Sequence, residues 1–334
     1  MKFQFLTIPR IKNMTKKTLI PTTVIAASLL LNFLPVELFG KGYQWKESKG
    51  LHADLLLDGK KVAQYVYERM KPAERERTYK PFNHVYQSDG KEFLTKGPGG
   101  RYTHHRGIYF GFSKCAVKDK NGKAQNVDTW HCKRGYQTHE KFIALEGGKD
   151  NAVQHSEIAW RTDDGGIFAT ESRKLTFSHS DDGAMQVDFE SKLSTTQDRI
   201  GLDGDPQHAG FQFRASNEVA SKTGKQTYYI RPKDGKDAEG KTKNWPGNKD
   251  MKDLLWKGQS VVVGGKRYFT LYLDHPSNPK PSFYSERDYG RFGSYFKTQS
   301  EPGKPVRIKY RLIIGTKERK ASECARLSDE FSRG

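Results

Sequence analysis

The sequence predicts an all-β protein, a large antiparallel β-sandwich or the larger supersandwich form of that fold, with a short C-terminal helix. Three observations support this fold class. Short apolar or aromatic runs recur through the chain, and turn dipeptides such as Asp89-Gly90 and Asn121-Gly122 separate many of them. The runs do not alternate with helical patterns, as parallel βαβ units would require.

The first 40 residues are predicted to be a signal peptide. Lys12, Lys16 and Lys17 form a basic start, and the apolar run at 24–34 is shorter than the ~20 residues that a membrane helix needs. We therefore expect a periplasmic or secreted protein with no membrane span after cleavage. An uncleaved N-terminal anchor is the alternative.

The β-sandwich domain is predicted to span residues 41–320. Asp58-Gly59 lies between two apolar runs and favours a tight hairpin. Further strands are expected at 82–86, 108–112, 158–162, 167–177, 185–193, 210–215, 227–230, 261–263, 268–273 and 306–314. The tail at 321–334 is predicted to be helical, with Ser322 as the cap of a helix that runs from Glu323 towards Phe331.

The cysteines predict at most one disulfide. Cys115 and Cys132 flank a hairpin-like segment, so in an oxidising compartment they could pair across it and leave Cys324 over. Three cysteines are too few for a disulfide scaffold. The fold must therefore depend on its hydrophobic core.

The formal net charge of +19 restricts the kinds of partner. Lysine-rich hairpin tips account for much of it, and the sequence has no arginine-rich helix, zinc-finger spacing or aromatic RNA-binding motif, so no nucleic-acid partner is expected. An anionic carbohydrate is the charge-complementary partner for an exported protein. Solubility alone is the alternative, and the oligomeric state is left open.

The segment before the strand at 108–112 combines two imidazoles with a guanidinium. If that strand already begins at His104, alternation places His104 and Arg106 on one face and His105 and Tyr109 on the other. On the second face, two glycines would leave open space for a ligand ring beside His105 and Tyr109. These are Gly107 and Gly111. A surface histidine pair at a strand end is the alternative.

A second strand carries a polar stripe next to a core face. The core face is expected to consist of Ala209, Phe211, Phe213 and Ala215. The stripe consists of His208, Gly210, Gln212 and Arg214. Such a stripe suits a sugar-binding sheet, and a solvated face is the alternative.

Two more segments add aromatic and polar groups, 128–131 and 274–290. Trp130, Tyr284 and Tyr289 can stack on sugar rings, and Trp245 could close over them. The candidate catalytic residues are His105, His208, Tyr109, Tyr289 and Arg106. The candidate substrate-binding residues are His104, Trp130, His131, Arg214, Gln212, His275, Asn278, Tyr284 and Arg287.

No metal ligand is assigned from sequence, and the cofactor is unknown. The histidines have no pairwise spacing that identifies a metal site. Metal binding by some of the histidines is the alternative. The histidines concerned are His104, His105, His131, His139 and His208.

The motifs together resemble one family. In chain order they are Lys80-Pro81, His84-Val85-Tyr86, Asp89-Gly90, Gly97-Pro98, His104-His105-Arg106-Gly107, Asp128-Thr129-Trp130-His131, Asp274-His275-Pro276-Ser277-Asn278-Pro279, Arg287-Asp288-Tyr289-Gly290 and Tyr310-Arg311. This order, over residues 50–318, resembles the exported bacterial PmoA-like family of unknown function. Relatives carry a His-Pro step where this sequence has Tyr102-Thr103. The resemblance implies a carbohydrate context.

We therefore expect an exported carbohydrate-active enzyme. Its reaction would be acid/base chemistry, namely elimination, hydrolysis or isomerisation, on a sugar, keto-glycoside or uronate. The absence of an obvious carboxylate pair disfavours ordinary glycoside hydrolysis. The alternative is a non-catalytic carbohydrate-binding module of a polysaccharide-degrading system.

Overall fold

Strands dominate the computed structural model, which describes residues 41–334; the predicted signal peptide lies outside the described residues. In chain order the strands are β1 (Tyr43–Ser48), β2 (His52–Leu57), β3 (Lys60–Val66), β4 (Phe82–Val85), β5 (Ile108–Phe112), β6 (Lys114–Lys118), β7 (Ala124–Val127), β8 (Gly135–Gly147), β9 (Asn151–Thr162), β10 (Ile167–His179), β11 (Met185–Thr195), β12 (Ile200–Asp203), β13 (Ala209–Arg214), β14 (Tyr228–Arg231), β15 (Gly235–Lys236), β16 (Trp256–Val263), β17 (Lys266–Asp274), β18 (Ser282–Arg287), β19 (Arg291–Phe296), β20 (Thr298–Ser300) and β21 (Val306–Gly315). The α-helices are α1 (Arg75–Thr78) and α2 (Ala321–Ser332).

The strands form three antiparallel sheets, which confirms the predicted fold class. The eight-stranded sheet has the order β1-β2-β3-β4-β5-β13-β19-β18. The nine-stranded sheet has the order β15-β14-β16-β17-β21-β11-β10-β9-β8. A four-stranded sheet, β20-β12-β6-β7, completes the set. The Asp58-Gly59 hairpin joins β2 to β3 as predicted.

The main core lies between the two large sheets. Phe211 of β13 stacks on Tyr310 of β21 at 4.7 Å between ring centroids. Phe110 of β5 meets the edge of Trp160 of β9 at 5.7 Å. Each such side chain contributes roughly 1.5–3 kcal/mol by leaving water. Because side chains alternate along a strand, the neighbours of these core residues point to the opposite face of the eight-stranded sheet.

The strands that the sequence analysis did not predict are polar or irregular. In β8, two bulges at 139–141 and 142–144 interrupt the pairing with β9, so apolar residues do not alternate regularly. Strands β18 and β19 are rich in serine, glycine and charged residues although most of their side chains are buried. Loops cover the side chains of these two strands, and an alternation of apolar and polar residues in the sequence does not reveal such cover.

The C-terminal helix is confirmed, but its predicted cap is wrong. Helix α2 begins at Ala321, with Lys320 at the N-cap, so Ser322 lies inside the first turn. Cys324 is buried where the helix packs on the nine-stranded sheet. Between residues 41 and 334, no helix is long and apolar enough to span a membrane.

The predicted disulfide is wrong, because the described cysteines are all free and buried. In the β6–β7 hairpin the residue opposite Cys115 is Val127, and Cys132 lies beyond the end of β7. The Cys132 thiol points to the carbonyl oxygens of Tyr79 and Thr129, at 3.8 and 3.4 Å.

Candidate functional site

Three chain segments bring histidines together on the face of the eight-stranded sheet that points away from the main core. His104 precedes β5, His131 follows β7 and His208 precedes β13. The ring centroids are 4.4 Å apart for His104 and His131, 4.8 Å for His131 and His208, and 5.9 Å for His104 and His208. One ring nitrogen of each lies within 4.8 Å of the others. We call these three residues the histidine cluster.

Two members of the histidine cluster are oriented by the same local turn, Asp-x-x-His. Asp128 accepts hydrogen bonds from the backbone N–H groups of Trp130 and His131, at 2.8 and 2.7 Å, and its other oxygen lies 2.7 Å from Nδ1 of His131. Asp205 lies 3.0 Å from Nδ1 of His208. A carboxylate that accepts a hydrogen bond from Nδ1–H leaves the lone pair on Nε2, which is how metal-binding histidines are held.

His104 supplies a third nitrogen without a partner. Its Nε2 is buried and has no hydrogen bond within the described structure. Burial, reinforced by the nearby His131 and Lys80, lowers the pKa of His104 to about 2, so its ring is neutral. Neutral imidazole is the form that binds metal ions. Three nitrogens on a tetrahedral Zn²⁺ ion would stand about 3.4 Å apart, and in the cluster they lie within 4.8 Å of one another.

Aromatic rings stand beside the cluster. His105 is buried, and its ring centroid lies 4.4 Å from that of His104. Tyr289 lies 6.1 Å from His105 and 4.7 Å from Tyr102, and both tyrosines are part-exposed. They form an aromatic wall at the mouth of the site. Such a wall suits the apolar face of a sugar ring.

Left-handed backbone conformations flank the three histidines. Tyr102 has φ 57°, Cys132 has φ 56° and Gly210 has φ 82°. Each lies within two residues of a cluster histidine. Non-glycine residues adopt this conformation at a cost of order 1–3 kcal/mol, and such positions concentrate at functional sites. At Gly210 a Cβ atom would overlap the carbonyl oxygen of Ser294, so a side chain cannot replace the glycine.

Buried cations surround the cluster. Five cationic side chains here are at most 2 % exposed, namely Lys80, Lys96, Arg106, Arg214 and Arg291. Within residues 41–334 none of them has a carboxylate within ion-pair distance, and their N–H groups instead donate to polar groups such as the carbonyls of Trp130, Glu76 and Tyr289. Burial lowers the pKa values of Lys80 and Lys96 to about 7 and that of Arg214 to about 10.

A small cavity behind the histidines is lined by several of these groups. The lining residues are His105, Arg106, Tyr109, Trp130, Gln212, Arg214 and Arg291. Arg214 Nε lies 3.4 Å from Nδ1 of His105. The cavity has room for little more than one water molecule.

The predicted face assignment at 104–112 is wrong, because β5 starts only at Ile108. The preceding loop folds back over the sheet, and His104 and His105 therefore share one site. The space predicted beside the glycines is filled: a Cβ at Gly111 would meet the Tyr109 hydroxyl, and one at Gly107 would meet Thr95.

Tyr109 and the polar stripe of β13 lie beneath the loops. The Tyr109 hydroxyl donates to the carbonyl of Thr129 and is buried. Gln212 pairs directly with Tyr109 across β5 and β13. Gln212 and Arg214 are buried, so the solvated-face alternative for this stripe does not hold.

Four predicted substrate-binding residues lie apart from the histidine cluster. Tyr284 is fully buried and its hydroxyl donates to Asp274, so it cannot stack on a sugar. Asn278 fixes a turn by donating to Asp274 at 2.8 Å. His275 lies 2.7 Å from the hydroxyl of Ser277. The Arg287 guanidinium donates to Asn244 Oδ1 at 2.5 Å.

Two other aromatic expectations also differ. Trp245 stacks on Phe283 at 4.6 Å, which places it against the core. His139 packs on Tyr67 at 4.7 Å and on Phe142 at 4.4 Å, away from the other histidines.

The sequence analysis gave no role to five residues of the site: Tyr102, Lys80, Arg291, Asp128 and Asp205. The repeated Asp-x-x-His spacing was a usable signal for the two aspartates, because residue i of such a turn reaches the ring at i+3. No pattern marked Arg291, whose place depends on the pairing of β13 with β19.

Comparison with known proteins identifies a family. The profile of a family of unknown function, DUF6807, matches residues 52–329. The chain belongs to the DUF6807 family. The resemblance inferred from sequence is thereby confirmed at the level of a family of unknown function. The PmoA-like name and export remain predictions.

Curated proteins and solved structures add little for DUF6807. No curated protein matches the chain. A GalM/aldose epimerase homologue from C. elegans has 7 % identity and a TM-score of 0.38, and the match covers 84 % of this chain and 100 % of that one. A putative kojibiose phosphorylase from human microbiome has 11 % identity and a TM-score of 0.32, with coverage of 82 % and 32 %.

Proposed function

We propose that this protein is an exported carbohydrate-active enzyme whose histidine cluster binds a divalent first-row transition metal. One observation carries the proposal: three imidazoles converge, two are oriented by aspartates, and the third has an unpartnered buried nitrogen. Imidazole sets of this kind suit Zn²⁺ and its neighbours in the first transition row.

The ligand number favours a catalytic over a structural metal. Structural zinc sites are usually closed by four protein ligands, whereas catalytic sites use three and keep one position open. All three cluster histidines are part-exposed, so a substrate oxygen can reach the open position. A metal ion there would act as a Lewis acid on a carbonyl or hydroxyl oxygen.

The protein's own groups supply binding and proton transfer. The aromatic wall of Tyr102 and Tyr289 would hold a sugar ring. His105, whose ring centroid is 4.4 Å from that of His104, and Tyr289, 6.1 Å from His105, would move the proton. Elimination from a keto-glycoside or uronate fits this set. The proton leaves the carbon next to the carbonyl, and the electron pair of that C–H bond forms a C=C bond. The C–O bond to the leaving group breaks with its electrons on the oxygen, which takes up a proton.

The carbohydrate and the compartment have separate support. The aromatic wall and the family resemblance support a sugar substrate, and the basic, then apolar, leader supports export. An anionic sugar also matches the buried cations.

Metal content is the first test. The purified protein, stripped with a chelator and dialysed against Zn²⁺, should bind one equivalent by elemental analysis. The variant His104→Ala/His131→Ala/His208→Ala should bind none. His275→Ala is the matched control, because that imidazole is also part-exposed but lies outside the cluster, and it should retain one equivalent. Equal zinc content in all three proteins would contradict the proposal.

Turnover is the second test. Keto-glycosides, uronides and neutral glycosides are incubated with metal-loaded protein and products are followed by mass spectrometry. We expect product from at least one class, loss of activity on chelation and recovery on adding metal back. Binding of these sugars without any product would favour the carbohydrate-binding module instead.

A further inference from the structure

The five buried cations near the cluster are exceptional within this protein. Elsewhere the chain pairs its buried arginines with carboxylates. Arg173 lies 2.8 Å from Glu171, and Arg231 lies 2.6 Å from Glu286, with all four side chains at most 2 % exposed. The fold therefore does not bury unpaired guanidinium groups as a rule. Charges buried without a counter-ion are costly, and the three arginines Arg106, Arg214 and Arg291, which do not lose their proton as the two lysines can, therefore call for an anion.

Four donors that lack hydrogen-bond partners within residues 41–334 belong to residues that line the small cavity. Within the described residues, Nη2 of Arg214 and the Nε atoms of Arg106 and Arg291 are buried and make no hydrogen bond. The indole N–H of Trp130 is also unpartnered. These four residues line the cavity, and no carboxylate does.

We infer that this cavity is an anion subsite that receives one negatively charged oxygen, and that the substrate of the adjacent cluster is therefore a carboxylate-bearing sugar such as a uronate. That the substrate is a sugar rests on the proposed function, whereas its negative charge is inferred from the residues that line the cavity. The room available, close to that of one water molecule, fits a single carboxylate oxygen and not a whole sugar ring.

The cavity adjoins the proposed metal. His105 lines the cavity and also stacks edge-on against His104, at 4.4 Å between centroids. A sugar placed against the aromatic wall would have its reacting oxygen at the cluster and its carboxylate in the cavity. Hydrogen bonds from charged donors to a carboxylate are about twice as strong as neutral ones.

Paired ligands that differ only in charge test the inference. Calorimetry in low-chloride buffer compares D-glucuronate with D-glucose, and acetate with acetamide, on metal-loaded and metal-stripped protein. We expect glucuronate to bind ~10–100-fold more tightly than glucose, from charge-assisted hydrogen bonds. Arg214→Gln should abolish that preference, and the ratio of the two affinities is compared because Arg214 also holds the backbone of Tyr289 in the aromatic wall. Arg287→Gln is the matched control and should retain the preference, since Arg287 faces Asn244.

The outcomes separate this inference from the proposed function. If the protein binds metal but has equal affinity for glucuronate and glucose, the anion subsite is overturned and the metal proposal stands. A glucuronate preference that depends on Arg214 in protein that binds no metal would support the subsite and overturn the metal proposal. Thermal stabilisation by chloride but not by glucuronate would overturn the assignment to the substrate. If Arg214→Gln does not fold, Arg291→Lys in the same assay decides.

Discussion

The substitution Asp128→Asn tests how the histidine cluster is held. One Asp128 oxygen accepts two backbone N–H bonds, from Trp130 and His131, while the other faces His131 Nδ1. An amide has only one oxygen. If that oxygen stays with the backbone, the new NH₂ group faces Nδ1, which must then be the acceptor, and the proton moves to Nε2, where it blocks metal binding.

The expected loss is tenfold to a hundredfold in metal affinity, or ~1.4–2.7 kcal/mol. The upper part of that range is expected for Asp128, whose side chain is 17 % exposed, because water screens it little. The corresponding substitution Asp205→Asn should cost less, since that carboxylate is 53 % exposed.

The assay is competition for Zn²⁺ against a chromophoric chelator at constant pH. Asp119→Asn is the matched control: its Oδ1 also accepts two backbone N–H bonds, from Asn121 and Lys123, but no ring faces it. It should leave metal affinity unchanged. Equal affinity in Asp128→Asn and the unsubstituted protein, with native circular dichroism, would refute the reasoning.

Three further predictions concern stability and thiol chemistry. Phe211→Ala removes a fully buried ring that packs at a tilt against Phe189, 4.4 Å between centroids, and should lower the free energy of unfolding in urea by ~3–5 kcal/mol. A loss below ~1 kcal/mol would contradict the packing. Arg77 holds the pKa of Glu68 at about 2, so Glu68 stabilises the fold above its usual pKa, and this stability is lost as pH falls towards 2. Glu68→Gln should remove ~1 kcal/mol of this pH-dependent stability, a small effect because Arg77 is half-exposed. An unchanged pH profile of unfolding would contradict this expectation. Burial raises the pKa of Cys115 to about 12, so iodoacetamide should label no thiol in native protein and three after denaturation, by intact mass.

Much of the fold could be predicted from sequence because its core strands alternate. The predicted strand at 108–112 coincides with β5, and the core face of β13 holds the apolar residues expected of it. The bulged β8 and the polar β18 and β19 were not predicted from sequence. Their burial depends on loops and on neighbouring strands, which local sequence patterns do not specify.

The site was predictable in part, for a similar reason. Glycines and aromatic residues around His104, His131 and His208 drew attention to the right segments, although 27 and 77 residues separate consecutive members. Sequence could not show that their rings meet, since this requires the loop before β5 to fold back. It also could not separate the part-exposed Tyr289 from the fully buried Tyr284, because both lie in one short polar segment.

The unpaired cations have a consequence for attempts to engineer this protein. Replacing Arg106, Arg214 or Arg291 by an apolar residue would remove the cost of burying a charge, but it would leave buried carbonyl oxygens without their donors, at about 1–3 kcal/mol each. A selection for heat resistance that ignores ligand binding should therefore favour polar, uncharged replacements, which keep a donor and lose the charge. Such changes would remove the anion subsite from a protein that still folds, so libraries screened for robustness should hold these three codons fixed.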